Sequence, residues 1–118
     1  MRSELEDRLV AFSARIFHLS SKAGKAYFNN YLIKQLLRSS TSAALNYGEA
    51  QSAESKRDFI HKIGIVLKEL RESNVNLKIV KETGIIQDKV FLSEILDESH
   101  QLVSIFYKTI QTATKNQG

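Results

Sequence analysis

The sequence predicts an all-α protein, an up-down-up-down antiparallel four-helix bundle, and three observations carry that reading. Apolar residues recur at alternating steps of three and four over four long segments, the period of a helix with one buried stripe. The 118 residues contain no proline and only five glycines, so little obstructs long helices. Three short connections separate the segments, which favours antiparallel neighbours. Alternation at period two is not sustained anywhere, so strands fit badly. The length suits a single domain over 1–118 that buries its own core. Helices are expected over 3–20, 25–51, 55–83 and 88–114.

The first segment carries Leu5, Leu9, Phe12, Ile16 and Leu19. Ser3 and Glu6 form a capping-box pattern at its start, and Ser20-Ser21-Lys22-Ala23-Gly24 reads as its end. In the second segment the apolar side includes Phe28, Tyr31, Leu32, Leu36, Ala43, Tyr47 and Ala50. The third opens at Ser55 with Asp58 three residues on, and continues through Phe59, Ile60, Ile63, Val66, Leu67, Leu70 and Leu77. Asn74 and Asn76 weaken it locally, and Thr83-Gly84 is a stop with glycine as a left-handed cap. The fourth begins near Asp88, shows Phe91, Leu92, Ile95, Leu96, Leu102, Val103, Phe106 and Ile110, and frays over 114–118. Ile85 and Ile86 are placed to fold back over the end of the core.

Composition excludes several functions. There are no cysteines, hence no disulfide, thiolate metal site or thiol nucleophile. No run of about 18 apolar residues exists to span a membrane. The Met1-Arg2-Ser3-Glu4-Leu5-Glu6-Asp7 start lacks the apolar run of a signal peptide, so a cytoplasmic location is expected. His18, His61 and His100 fall on three different helices without metal-ligand spacing, and read as surface or boundary residues. The hydroxyl cluster Arg38-Ser39-Ser40-Thr41-Ser42 sits in no nucleophile elbow, and no phosphate-cradling glycine loop exists. Small hydroxyl residues in a helix instead permit close approach of a neighbour, or bond back to a carbonyl one turn earlier. No catalytic residue, metal or cofactor is expected, and the chain does not read as an enzyme.

The most informative feature is a polar stripe on the second helix. After Leu32, the residues Gln35, Ser39, Ser42, Asn46 and Glu49 follow at steps of three and four, directly beside the apolar stripe. Such a line is simply solvated, faces another subunit, or meets the charged residues Asp58, Lys62, Glu69 and Glu72 of the third helix. In the last case Arg38 and Lys62 find Glu49 or Glu69 across the helix pair, in a network that fixes register more than it adds stability. On that placement, Arg38→Ala is expected to cost more than Arg8→Ala, since Arg38 alone of the two sits beside the inner seam.

Seventeen Lys and Arg against thirteen acids give a net charge of +4, a mild excess that permits a nucleic-acid partner. Arg8, Arg15 and Lys22 repeat every seven residues beside the first apolar seam, as do Lys108 and Lys115 on the fourth helix. In an antiparallel bundle Lys22, Lys25, Lys78, Lys81 and Lys89 gather near one end, and Arg2, Lys56, Arg57 and Lys115 near the other. Phosphate contacts need only such positive surface. The candidates for nucleic-acid contact are Arg8, Arg15, Lys22, Lys25, Lys56, Arg57, Lys108 and Lys115. The competing reading is a set of solubilising flanks with acid partners nearby.

Gln35-Leu36-Leu37-Arg38-Ser39-Ser40-Thr41-Ser42, then Asn46-Tyr47-Gly48-Glu49-Ala50, Asp58-Phe59-Ile60-His61-Lys62 and Leu67-Lys68-Glu69 resemble the bacterial four-helix bundle protein family. That family is also called the ribosomal protein S23 or 23S rRNA intervening-sequence protein family. The stretch from Phe12 to Gly84 fits its pattern, and the last helix fits by length and hydrophobicity. Asn76 stands where an aromatic residue often precedes the leucine. The resemblance implies an antiparallel four-helix bundle and, from several members, a ring-like homopentamer. Some members are encoded within intervening sequences of the large ribosomal RNA gene, without being established ribosome components. A related branch, the accessory variability proteins of diversity-generating retroelements, forms a basic pentameric barrel that binds nucleic acid and a reverse transcriptase. No enzyme activity is implied. Gln35, Arg38, Ser39, Asn46, Glu49, Asp58, Lys62 and Glu69 match the family signature.

Together these readings lead to a non-enzymatic homo-oligomer that binds RNA or DNA through basic side chains and has no membrane partner. The alternative is a protein–protein adaptor docking a larger partner such as a reverse transcriptase or other polymerase.

Overall fold

The four apolar stripes fold as α1 (Glu4–Ser20), α2 (Tyr27–Gln51), α3 (Lys56–Thr83) and α4 (Lys89–Lys115). The computed structural model describes residues 3–115, with the backbone alone at Tyr27 and Phe28. Arg2, the Phe28 side chain and the expected fraying over 116–118 therefore lie outside the described residues.

Local chemistry sets the helix ends. Ser3 Oγ accepts the Glu6 N–H at 3.0 Å, and Ser55 Oγ accepts the Asp58 N–H at 3.0 Å. Glu4, Glu6 and Asp7 in the first turn of α1 oppose the positive end of its dipole. Gly84 terminates α3 at φ 70°, in the left-handed region where a β-carbon is costly. α2 starts at Tyr27, two residues later than its sequence pattern suggests. Ala23 is committed to an antiparallel bridge with Ile86, and the extended cap residue Ala26 has no side-chain acceptor.

Each helix packs against its sequence neighbour in antiparallel fashion, and α4 returns beside α1 to close the ring. The α4–α1 seam is the sparsest of the four, and the diagonal pairs make no close backbone approach among the described residues. Side chains fill that diagonal. Tyr47 of α2 meets Phe106 of α4 edge to face, with ring centroids 5.4 Å apart. Leu9, Phe12, Ile16 and Leu19 of α1, Leu36 of α2, Ile63, Leu70 and Leu77 of α3, and Ile95 and Leu102 of α4 complete the core. Ile86 is buried and Ile85 partly so, and together they cover the end of the core where α3 turns into α4. The result is a rod of 49 × 24 × 20 Å. No described helix is long and apolar enough to cross a membrane.

Two ties fasten the ends of α1. At its start, Gln51 Nε2 donates to Ser3 Oγ at 2.9 Å, joining it to the end of α2. At its far end, Lys22 Nζ lies 3.2 Å from Asp88 and 5.4 Å from the Phe91 ring centroid. Asp88 Oδ1 also accepts the Phe91 N–H, opening α4. That backbone bond first, and Lys22 second, hold the Asp88 carboxyl below its usual range. A depressed carboxyl stabilises the fold above the ordinary aspartate range near 4, and the contribution fades as pH falls through the lower folded value. Lys22→Met is therefore expected to move the Asp88 titration midpoint upward in a carboxyl-carbon NMR titration. An unchanged midpoint means Lys22 does not act on it.

Candidate functional site

The polar stripe of α2 runs along α3. Arg38 Nη1 donates to Glu69 Oε2 at 3.0 Å, and Nη2 reaches the Glu72 carboxylate. Gln35 Oε1 stands 3.4 Å from Arg38 Nε. Burial draws the Arg38 pKa down, but the hydrogen bonds and charges of Glu72 and Glu69 outweigh it and raise it overall. One turn along, Ser39 and Ser73 Oγ atoms lie 2.6 Å apart, both fully buried, and Ser73 donates to the Glu69 carbonyl at 3.0 Å. Lys62 Nζ lies 3.6 Å from Glu49 Oε2. Asn46 turns back on its own helix, donating to Ser42 O at 2.9 Å and Ser42 Oγ at 3.1 Å. Asp58 lies in the first turn of α3, where its N–H meets the Ser55 cap.

The eight signature residues thus divide. Arg38, Glu69 and Gln35 form one cluster, Ser39 sits beside it through Ser73, Lys62 pairs with Glu49, and Asn46 and Asp58 bond locally. Two members of the surroundings carry no sequence mark. Ser73 is one unremarkable serine on α3, and Glu72 shares Arg38 with Glu69. A second polar contact joins α3 to α4, where Asn74 Nδ2 donates to Ser99 Oγ at 2.8 Å and lies 3.3 Å from His100 Nδ1.

The basic candidates lie at both ends and along the sides. Arg8 grips Glu98 of α4 with two prongs, at 3.1 Å through Nε and 2.7 Å through Nη2, and reaches Gln101 at 3.2 Å. The Glu98 hydrogen bond is the main cause of its raised pKa. Arg8 therefore also lines a helix seam, contrary to the expectation that Arg38 alone of the two does so. A seven-residue repeat along one helix does not reveal a partner on another. Lys22 is engaged by Asp88 and Phe91, and Lys56 also has a partner. Arg15, Lys25, Arg57, Lys108 and Lys115 are exposed, with no ion pair among the described residues. Lys81 and Lys89 stand over a small recess at the α3–α4 elbow, lined by Gly84, Ile86, Leu92 and Ser93.

Apolar surface is also concentrated. Val10 and Phe17 of α1 and Leu45 of α2 line one shallow groove, with Phe17 63% and Leu45 65% exposed. Tyr31, Val75 and Ile79 line another between α2 and α3. No group of three or more metal-ligating side chains gathers among the described residues.

Fold and seam define an antiparallel helical bundle with a line of ion pairs between its second and third helices. The chain belongs to the 23S rRNA-intervening sequence protein family, which matches residues 4–108. It is also similar to the crystal structure of a protein with unknown function from the S23 ribosomal protein family of Bacteroides thetaiotaomicron VPI-5482. The two share 30% sequence identity over 90% of this chain and 97% of that one, with a TM-score of 0.80.

Proposed function

We propose that this protein is a non-enzymatic homo-oligomer that binds RNA or DNA through basic surface side chains. The observation that carries this reading is the distribution of charge. The acids of the α2–α3 seam are matched by Arg38 and Lys62, while Arg15, Lys25, Arg57, Lys108 and Lys115 face solvent without an ion pair among the described residues. The chain carries a net charge of +4, and free surface cations are what phosphate contacts require. Self-association is supported by the exposed groove of Val10, Phe17 and Leu45, since large exposed apolar side chains clustered together mark interaction surfaces.

In a gel-shift series, RNA or DNA is expected to bind at about 50 mM salt and to weaken steeply as salt rises. Absent or salt-insensitive binding withdraws the nucleic-acid part. Light scattering is expected to give a multiple of 13.4 kDa, five-fold for a ring. Phe17→Asp is expected to lower that mass, and a monomeric native protein withdraws self-association. The same groove supports a second reading, a protein adaptor docking a polymerase-like partner. It predicts capture that persists in moderate salt and fails with Phe17→Asp.

A further inference from the structure

We infer that the outer face of α3 is a track for the phosphodiester backbone of a nucleic acid, an inference that rests on the proposed function above and gives it a location. Positions 57, 61, 64, 68, 71, 75 and 78 advance by alternating steps of four and three, which places them in one line along the helix. The line reads Arg57, His61, Gly64, Lys68, Arg71, Val75 and Lys78, and all but Gly64 are exposed. Arg57, Lys68, Arg71 and Lys78 have no ion pair among the described residues. From Arg57 to Lys78 the line extends about 32 Å at the helical rise. It ends at the exposed Glu82.

The acids beside the middle of the line are engaged by other cations, while the exposed Glu54 and Glu82 stand at its two ends. On α3, Glu69 and Glu72 are drawn toward α2 by Arg38. On α4, Glu98 is gripped by Arg8 of α1. Arg8 also takes Gln101, and Gln101 Nε2 donates to the exposed Asp97 at 2.8 Å. The flank of α4 beside the line presents His100, bonded to Asn74, and Tyr107. The Arg71 guanidinium carbon lies 5.9 Å from the Tyr107 ring centroid, which steadies a planar fork suited to phosphate. The internal ion pairs thus segregate charge and leave one long side cationic.

A straight row of separated cations matches a regular polyanion. An anionic membrane is the poorer match, because Tyr31, Val75 and Ile79 form one short apolar patch in and beside the row and not a continuous apolar face along it.

The test compares two charge-matched variants of the full chain by fluorescence anisotropy. One carries Arg57→Gln, Lys68→Gln, Arg71→Gln and Lys78→Gln. The other carries Lys34→Glu, Lys81→Gln and Lys89→Gln, an equal change of charge at exposed cations outside both the line and the set named under the proposed function. The probes are an RNA duplex, the same duplex in DNA, an RNA single strand, and vesicles rich in phosphatidylserine. All seven positions are exposed, and circular dichroism checks that helix content is retained. The α3 variant is expected to lose about 100-fold or more in affinity for at least one nucleic acid at 100 mM salt, and its log–log salt slope is expected to fall by about three to four. The second variant is expected to lose far less. A double variant, Lys68→Gln with Lys78→Gln, is expected to fall between them. Equal losses in the two charge-matched variants overturn the track while leaving nucleic-acid binding intact. No binding by the native protein overturns both, and α3-dependent binding to vesicles alone overturns the choice of a nucleic acid.

Discussion

Phe106→Ala is expected to lower stability by about 3 to 5 kcal/mol, the range for deleting a buried phenyl ring. Phe106 is fully buried, and its edge-to-face contact with Tyr47 ties α4 to α2 across a diagonal where the backbones do not meet. The α2 backbone makes no close approach to α4 across this diagonal, so collapse from that side is not expected to refill the vacated space. Against a typical domain stability of about 5 to 15 kcal/mol, this is a large share. A urea melt measures it as a lower midpoint with little change in slope. Val90→Ala, at a side chain 71% exposed, is the control and is expected to shift stability by less than about 0.5 kcal/mol. Equal midpoints for the two variants contradict the diagonal packing.

Arg38→Ala is expected to cost about 2 kcal/mol, and Arg8→Ala less than about 1 kcal/mol. The ranking does not come from the burial of the arginines, because Arg8 is the less exposed, at 32% against 50%. It comes from the acid each one leaves behind. The Glu69 side chain is 9% exposed and the Glu98 side chain 20%. A carboxylate stranded in the tighter seam cannot recover its hydration. Adding Glu69→Gln to Arg38→Ala is accordingly expected to restore part of the loss, because a neutral amide is cheaper to bury. No recovery on chemical denaturation means that the missing arginine chain, not the orphaned charge, sets the cost.

The architecture was legible because the signals that set it are local. Leu9, Phe12, Ile16 and Leu19 repeat at helical steps, Ser3 and Ser55 cap, and Gly84 stops α3. The α2–α3 seam was partly legible, since the polar line of α2 and the charges of α3 are each periodic. What the sequence did not disclose depends on distances between helices. Ser73 looks like any helical serine until Ser39 of the α2 stripe is found 2.6 Å away. Asn74 reads as a weak helix former, yet its amide bonds Ser99 and gains a partner inside the bundle. Arg8, Arg15 and Lys22 share a spacing but not a fate, because Arg8 meets Glu98 on α4 and Lys22 meets Asp88 just before that helix begins. The row on α3 escaped notice for a related reason. Arg57, Lys68, Arg71 and Lys78 are irregularly interrupted, and they read as a cationic side only once the carboxylates beside the middle of the line are seen to be engaged by other cations.

The thin α4–α1 seam has a consequence for how the molecule breathes. A short first rod, joined to the last by few close approaches and by ion pairs such as Arg8–Glu98, is the cheapest piece to detach. Sub-global opening is expected to start there, with the remaining three rods staying packed together, and amide exchange faster in α1 than in α3 would be its sign. A detached N-terminal rod bares a vacant slot that the same rod of a sister molecule fits equally well, so this edge is also where helix-for-helix exchange between copies would begin.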